Sequence, residues 1–297
     1  MKNNNLKGFI LAIIAAVLWG FSGTFGQFLF QNRGINVEWL ITVRMLVSGI
    51  LLLAYGKYQE KQNVLQIWNN RKDSIQLLIF SIAGMLAVQY TYFAAIKHSN
   101  APTATVLQFC GPIIIVLYLS IKNRKLPQKK ELLAIILAVA GTFLLVTHGN
   151  FSTLAISVTA LLFGLSSAVA LAVYTLQPAK LLNKYNASIV IGWAMLCGSI
   201  VFSFVKAPWS IDGYWDLKTY FFIAVIIIFG TLIAFTFYLH SVKIIGGQKA
   251  SLLASAEPLA ATLLAVLWLN TTFSTIDWIG SIFIISTVFL LSKNKEE

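Results

Sequence analysis

Glu257 stands directly before Pro258 in the apolar run Ala250-Ser-Leu-Leu-Ala-Ser-Ala-Glu-Pro258. A carboxylate inside hydrocarbon costs roughly 2.5–3.5 kcal/mol on insertion scales, so a chain that keeps one there has a use for it. The chemistry on offer is to bind an ammonium group or to take up and release a proton; a buried, partnered carboxylate that ties two helices together is the structural alternative. Ala250, Ala254, Glu257 and Ala261 follow the i, i+4, i+7, i+11 spacing of one helix face, which places the acid in a stripe of small residues. Pro112 lies 146 positions before Pro258, and the run ahead of it carries Ala104, Gln108 and Gly111. Gln108 offers donors and an acceptor suited to a carboxylate or amide, and reads equally as an interhelical hydrogen bond. Each proline frees a carbonyl one turn earlier and kinks its helix, so the paired placement of Pro112 and Pro258 points to a hinge.

Arg44 is the one basic residue within an apolar run. It reads as a partner for Glu257, as an anchor for an anionic ligand, or as a structural cation. Trp19, Gln89, Tyr92, Phe235 and Tyr238 form the aromatic and polar set expected around a cavity. Gln89 and Tyr92 are three apart, as are Phe235 and Tyr238, so each pair shares a helix face. Aromatic faces attract cations by about 0.5–2 kcal/mol and accept flat apolar groups, although any one of these rings serves packing equally well.

Other chemistries find no support. His98, His148 and His240 have no ligand spacing between them and sit near the ends of apolar runs, so no metal is expected. Cys110 and Cys197 fall inside apolar runs and read as small buried hydrophobes. There is no G-x-x-x-x-G-K-[ST], H-E-x-x-H, C-x-x-C or G-x-S-x-G, so neither a nucleotide-driven pump nor an enzyme is expected, and no cofactor is implied. Gly20-Phe-Ser-Gly-Thr-Phe-Gly26 reads as a helix-packing run.

The elements that must hold these groups are set by composition. Of 297 residues 58% are hydrophobic and 11% charged, with mean hydropathy +0.79, whereas soluble domains carry about 25% charged residues. This is the profile of an integral membrane protein. Ten segments approach the ~20 apolar residues a spanning helix needs: 8–28, 37–55, 75–96, 101–121, 131–147, 152–176, 187–205, 219–240, 248–269 and 274–292. They lack the strict alternation of a membrane β-barrel, so all-α architecture is expected. Lys2 and Lys7 before the first run resemble a signal peptide, but that run continues past Phe25 and reads as an uncleaved first helix. Within 56–74 the mixture of charges with Val64, Leu65, Ile67 and Trp68 suggests a short interfacial helix.

The net charge of +12 would suggest nucleic acid in a soluble chain; here it is read as the basic excess of cytoplasmic loops, with no nucleic-acid partner. With a cytoplasmic N-terminus, every Lys and Arg falls on the inside except Arg33, Lys97, Lys206 and Lys218, which fall outside, and Arg44 within a span. Both termini are therefore expected in the cytoplasm. A repeat supports the same plan. Gly84-Met-Leu-Ala-Val-Gln-Tyr-Thr-Tyr92 aligns with Gly230-Thr-Leu-Ile-Ala-Phe-Thr-Phe-Tyr238, and the register runs without a gap to Pro112 and Pro258. Leu18-Trp-Gly-Phe-Ser22 likewise matches Leu162-Phe-Gly-Leu-Ser166, and Gly141 answers Gly280. Five helices are an odd number, so a second copy enters the membrane upside down, giving two inverted halves, 8–147 and 152–292. That arrangement goes with secondary transport.

The order of these motifs resembles the drug/metabolite transporter superfamily, in particular its EamA-type ten-helix members, over almost the whole length. The resemblance is carried by Leu18-Trp-Gly-Phe-Ser-Gly23, Arg44, Ala104-Thr-Val-Leu-Gln-Phe-Cys-Gly-Pro112, Gly141-Thr-Phe-Leu-Leu and Ala250-Ser-Leu-Leu-Ala-Ser-Ala-Glu-Pro258. It is most similar to the bacterial inner-membrane carboxylate/amino-acid/amine subgroup. What the resemblance implies is a cavity walled by helices of both halves and export of a small metabolite. The expected partners are that small molecule and the lipid bilayer, with proton coupling through Glu257 as an option. A membrane-embedded sensor or enzyme without transport is the rival reading; it would need a soluble output domain or a polar catalytic constellation, and the sequence shows neither.

Overall fold

The computed structural model describes residues 2–61, 63–124, 126–148, 155–245, 250 and 253–292. The positions at 152–154, 248, 249, 251 and 252, which the expected sixth and ninth spans include, lie outside the described residues, as do Lys125, Lys293 and Lys295. No strand occurs among the described residues. The helices are α1 (Lys2–Asn32), α2 (Val37–Tyr58), α3 (Arg71–Ile79), α4 (Ala87–His98), α5 (Ala101–Gln108), α6 (Gly111–Asn123) and α7 (Lys129–Thr147). They continue with α8 (Val158–Leu176), α9 (Ala179–Lys184), α10 (Ala187–Phe202), α11 (Leu217–Ile227), α12 (Ala234–Ile245), α13 (Ala256–Leu269) and α14 (Thr275–Ser292). A short 3-10 helix, Gln66–Asn69, precedes α3.

Several of these join into longer rods, counted in chain order: α3 with α4 makes the third, α5 with α6 the fourth, α8 with α9 the sixth and α11 with α12 the eighth. Among the described residues seven helices are long and apolar enough to cross a membrane, among them Arg71–His98, Ala101–Asn123 and Leu217–Val242, and three shorter apolar helices accompany them. Large apolar side chains such as Ile10, Ile136, Phe221, Leu263 and Phe289 face outward. Such a surface is unstable in water and suits lipid, so the chain is a multi-pass membrane protein. Polar caps set where the rods begin: Asn36, Asn70, Asn100, Ser157 and Asp216 each accept a backbone N–H from the first turn of the following helix.

The packing is paired. α2 lies along α10 and α7 along α14; α1 packs on α12 and α13, while α8 packs on α4, α5 and α6. Glycines bring the backbones together. A Cβ at Gly141 would stand 2.6 Å from the Gly280 carbonyl, and one at Gly280 would stand 2.8 Å from the Gly141 carbonyl. A widened π turn interrupts the third rod at Phe80–Leu86 and another interrupts the eighth at Ile228–Ile233. Each turn contains the glycine that opens a repeated motif, Gly84 in one and Gly230 in the other.

The two ends of the bundle are tied in the same manner. Trp39 on α2 donates its indole N–H to the Pro208 carbonyl at 2.8 Å and stands edge-on to Trp215, with centroids 5.1 Å apart. At the opposite end Trp193 on α10 donates to the Val64 carbonyl at 2.7 Å and stands edge-on to Trp68 at 5.2 Å. The interplanar angles are 87° and 86°. Trp68 is thus one half of a tryptophan clamp.

Candidate functional site

The first rod packs closely on several others, and its small residues explain how. A Cβ at Gly20 would fall 2.7 Å from the Glu257 carbonyl, one at Gly23 would fall 2.5 Å from Tyr92 Oη, and one at Gly26 would meet the Phe93 ring. The run Gly20–Gly26 therefore packs helices, as its composition suggested, and brings residues of α4 and α13 around α1. Between those contacts Thr24 donates its hydroxyl hydrogen to the Gly20 and Ala261 carbonyls, at 3.1 and 3.2 Å.

Arg44 reaches into this junction and is 5% exposed. Its Nε donates to Thr231 Oγ1 at 2.7 Å, and Nη2 donates to the Gly230 carbonyl at 3.4 Å. The Thr231 hydroxyl in turn donates to the Ile226 carbonyl, five residues back, at 3.0 Å; the π turn makes that reach possible and leaves the hydroxyl lone pair for arginine. The guanidinium also lies 4.8 Å from the centre of the Phe93 ring. Nη1 has no hydrogen-bond partner among the described residues.

Glu257 occupies the first turn of α13 and is 9% exposed. Its carboxylate takes no hydrogen bond among the described residues, and no ion pair within 4.0 Å joins it to Arg44. Tyr92 is buried with its hydroxyl against Gly23 of α1. Its Oη is 2.8 Å from Thr105 Oγ1, and because the threonine hydrogen goes to the Ala101 carbonyl, tyrosine is the donor. The structure thus gathers Arg44, Tyr92 and Glu257 into one buried group.

The remaining expected residues divide into two sets. Trp19, Phe235 and Tyr238 form an aromatic cluster beside that group, with Trp19 5.3 Å from Phe235 and 5.2 Å from Tyr238. Gln89 is buried but turns its amide to the Met85 sulfur at 3.4 Å, and its Oε1 is unpartnered among the described residues. Gln108 is half-buried at the last position of α5, where the fourth rod breaks. Both prolines stand just after a helix break. Phe109 and Cys110 separate α5 from Pro112 in the first turn of α6, and Ser255 precedes the α13 turn that holds Pro258. That second break interrupts the single face expected to run from Ala250 to Ala261, because a proline cannot supply the amide hydrogen that would continue the ladder. Ala250 and Ala261 are nevertheless fully buried.

Sequence reading did not single out Thr231, Thr105, Phe93 or Ser22, whose buried Oγ is unpartnered among the described residues next to Gly230. The signal for Thr231 was present, since it follows the glycine that opens the second repeated motif. The histidines serve local ends: His98 stacks on Phe163 at 5.8 Å, His148 pairs with Asp277 at 2.8 Å, and His240 contacts the Thr236 carbonyl of its own helix at 2.8 Å. The two cysteines are free.

What this geometry offers is two buried ionisable side chains, a guanidinium nitrogen unpaired among the described residues and a cluster of aromatic rings.

Comparison with known proteins follows the same lines. The model of the EamA-like transporter family matches residues 6–147 and, separately, residues 158–293. The chain is 40% identical over 290 residues to an uncharacterized inner membrane transporter, YicL, of Salmonella typhimurium, covering 96% of this chain and 95% of that one. It is 25% identical over 291 residues to an uncharacterized transporter, YwfM, of Bacillus subtilis, covering 94% and 91%. A solved crystal structure with 17% identity aligns over 100% of both chains with a TM-score of 0.64, which shows a shared fold.

Proposed function

The chain belongs to the EamA-like transporter family, and from that premise we propose that it is a secondary transporter exporting a small metabolite, an amino acid, amine or related compound, by alternating access. In this reading the seven long and three shorter apolar helices are ten spans of the inner membrane. They form two inverted five-helix halves with both termini in the cytoplasm. The matched π turns, the reciprocal approach of Gly141 and Gly280, and the two tryptophan clamps at opposite ends support that symmetry.

The observation that carries the reading is the burial of two ionisable side chains, Arg44 and Glu257, inside the bundle, with Nη1 of the arginine left without a partner among the described residues. Buried charges in hydrocarbon are retained for a pathway or a ligand. Arg44 would receive an anionic group and Glu257 an ammonium or a proton. Trp19, Phe235 and Tyr238 would wall the space, with Tyr92, Gln89 and Gln108 completing the polar lining and Pro112 and Pro258 marking the hinges. One charge crossing 100 mV is worth about 2.3 kcal/mol, so proton exchange at Glu257 is a feasible way to couple export to the membrane potential. No cofactor or covalent step is involved.

The test is flux in proteoliposomes against a broad amino-acid and amine panel. Transport of at least one class is expected, with Glu257→Gln lowering the rate more than tenfold and flattening its pH dependence. Flux that Glu257→Gln leaves unchanged in rate and pH response would remove Glu257 from the site, and no flux of any panel member would overturn the substrate class.

A further inference from the structure

We infer that two ion pairs, Arg33–Asp216 at one end of the bundle and Lys184–Asp73 at the other, are reciprocal latches that close the two mouths of the transport path; this rests on the alternating-access reading above. The pairs are built alike. Arg33 lies in the turn between α1 and α2, and its Nη2 is 3.1 Å from Asp216 Oδ2, the cap of α11. Lys184 ends α9, before the turn into α10, and pairs with Asp73 in the first turn of α3. Asn70, the cap of α3, is 146 positions before Asp216, the offset that also separates Pro112 from Pro258. Each latch therefore ties the start of the third or eighth rod to the turn that follows the sixth or first.

They stand at opposite ends because α2 runs the length of the bundle between the Arg33 turn and the segment leading to Asp73. Each has a second contact that fixes its register. Tyr214 donates its backbone N–H to the Arg33 carbonyl at 2.8 Å, and the Tyr185 hydroxyl donates to Asp73 Oδ2 at 2.7 Å. Glycine permits the first of these. Gly213 has φ +89° and lies so close to the Arg33 turn that a Cβ there would stand 2.6 Å from the Arg33 carbonyl. Both pairs remain partly open to solvent, with side chains 21% and 27% exposed in one and 52% and 15% in the other. An ion pair of that exposure is weak enough to open and re-form, as a gate requires and a permanent strut does not.

A latch at one mouth makes a definite demand: weakening it must bias the central site toward that mouth and away from the other. Arg33→Ala and Lys184→Ala test this without touching either acid or its cap. The reporter is Gln108→Cys in a background of Cys110→Ser and Cys197→Ser, reacted with a membrane-impermeant maleimide from each side of oriented vesicles. Arg33→Ala is expected to raise the ratio of labelling from its own side to labelling from the other side two- to fivefold, the range a partly exposed ion pair permits. Lys184→Ala is expected to shift that ratio by a similar factor in the opposite direction, with Arg33→Lys and Lys184→Arg restoring the parental value. If the parent labels from both sides and both alanine variants match it, or both shift the same way, the latches are overturned while alternating access stands. If the parent labels from one side alone in every condition, alternating access fails and the latches fail with it.

Discussion

Arg44 and Thr231, 187 residues apart in sequence, are joined by a 2.7 Å hydrogen bond that is wholly buried between the second and eighth rods. The bond depends on a π turn that sends the threonine hydrogen to Ile226 and leaves a lone pair for the guanidinium. Removing the acceptor should therefore cost what a buried hydrogen bond to a charged group is worth, about 1.5–3 kcal/mol. Thr231→Val should show that loss by thermal or chemical unfolding in detergent, and the same substitution in an Arg44→Met background should cost less than half as much, because the partner is already gone.

The approach of Gly20 to Glu257 leaves no room for a side chain. A Cβ would stand 2.7 Å from the Glu257 carbonyl and 2.8 Å from the Ala261 amide nitrogen, both backbone atoms that cannot swing aside. Gly20→Ala should destabilise the protein by roughly 1–3 kcal/mol through overpacking and slow transport by moving α13 away from α1. Gly56→Ala, whose nearest neighbour is the Ser188 side-chain oxygen at 3.3 Å rather than a backbone atom under 3 Å, should cost less in the same unfolding assay.

The tryptophan clamps should be energetically equivalent. Trp39→Phe and Trp193→Phe each remove one indole donor from a loop carbonyl and keep most of the ring area. Each should lower stability by about 0.5–1.5 kcal/mol. Because the clamps lie at opposite ends and share no partner, the double variant should show the sum of the two within about 0.5 kcal/mol.

At the Arg33 end the backbone N–H and hydroxyl of Thr219, aided by the Arg33 charge, hold the Asp216 carboxyl below the usual carboxylate range. A group depressed in the fold contributes stability above its unfolded value of about 3.9 and loses it as pH falls through the folded value. Between pH 5 and 8 that contribution is complete. Asp216→Asn should therefore lower the unfolding midpoint by a constant amount across that window, with the gap from the parent closing only below about pH 4. A gap that changes between pH 5 and 8 would mean that another group titrates there.

The long apolar runs were enough to mark an all-helical membrane chain, since a backbone in lipid has no other way to satisfy its hydrogen bonds. The boundaries moved by a few residues: the third rod begins at Arg71, four residues before the run that marked it, because Asn70 supplies a cap that hydropathy does not register. Pro112 and Pro258 announced the two helix breaks, and Gly20–Gly26 announced close packing. The candidate site was legible only in part. Glu257 and Arg44 stood out by the cost of burying charge, whereas Thr231, Thr105 and the tryptophan clamps are ordinary residues whose roles come from what faces them.

The sequence by itself determined the membrane class, the helical content and the repeated register, because each follows from local chemistry: apolar length, missing amide donors and recurring motifs. It could not determine which helix meets which. In lipid a face turned to the bilayer and a face turned to a neighbouring helix are both apolar, so periodicity does not choose between them. Only the tertiary structure decided that α1 meets α4 and α13 on its glycines, that Arg44 bonds to Thr231 and Gly230 of the eighth rod, and that Glu257 is buried at the start of α13 with its backbone carbonyl against Gly20.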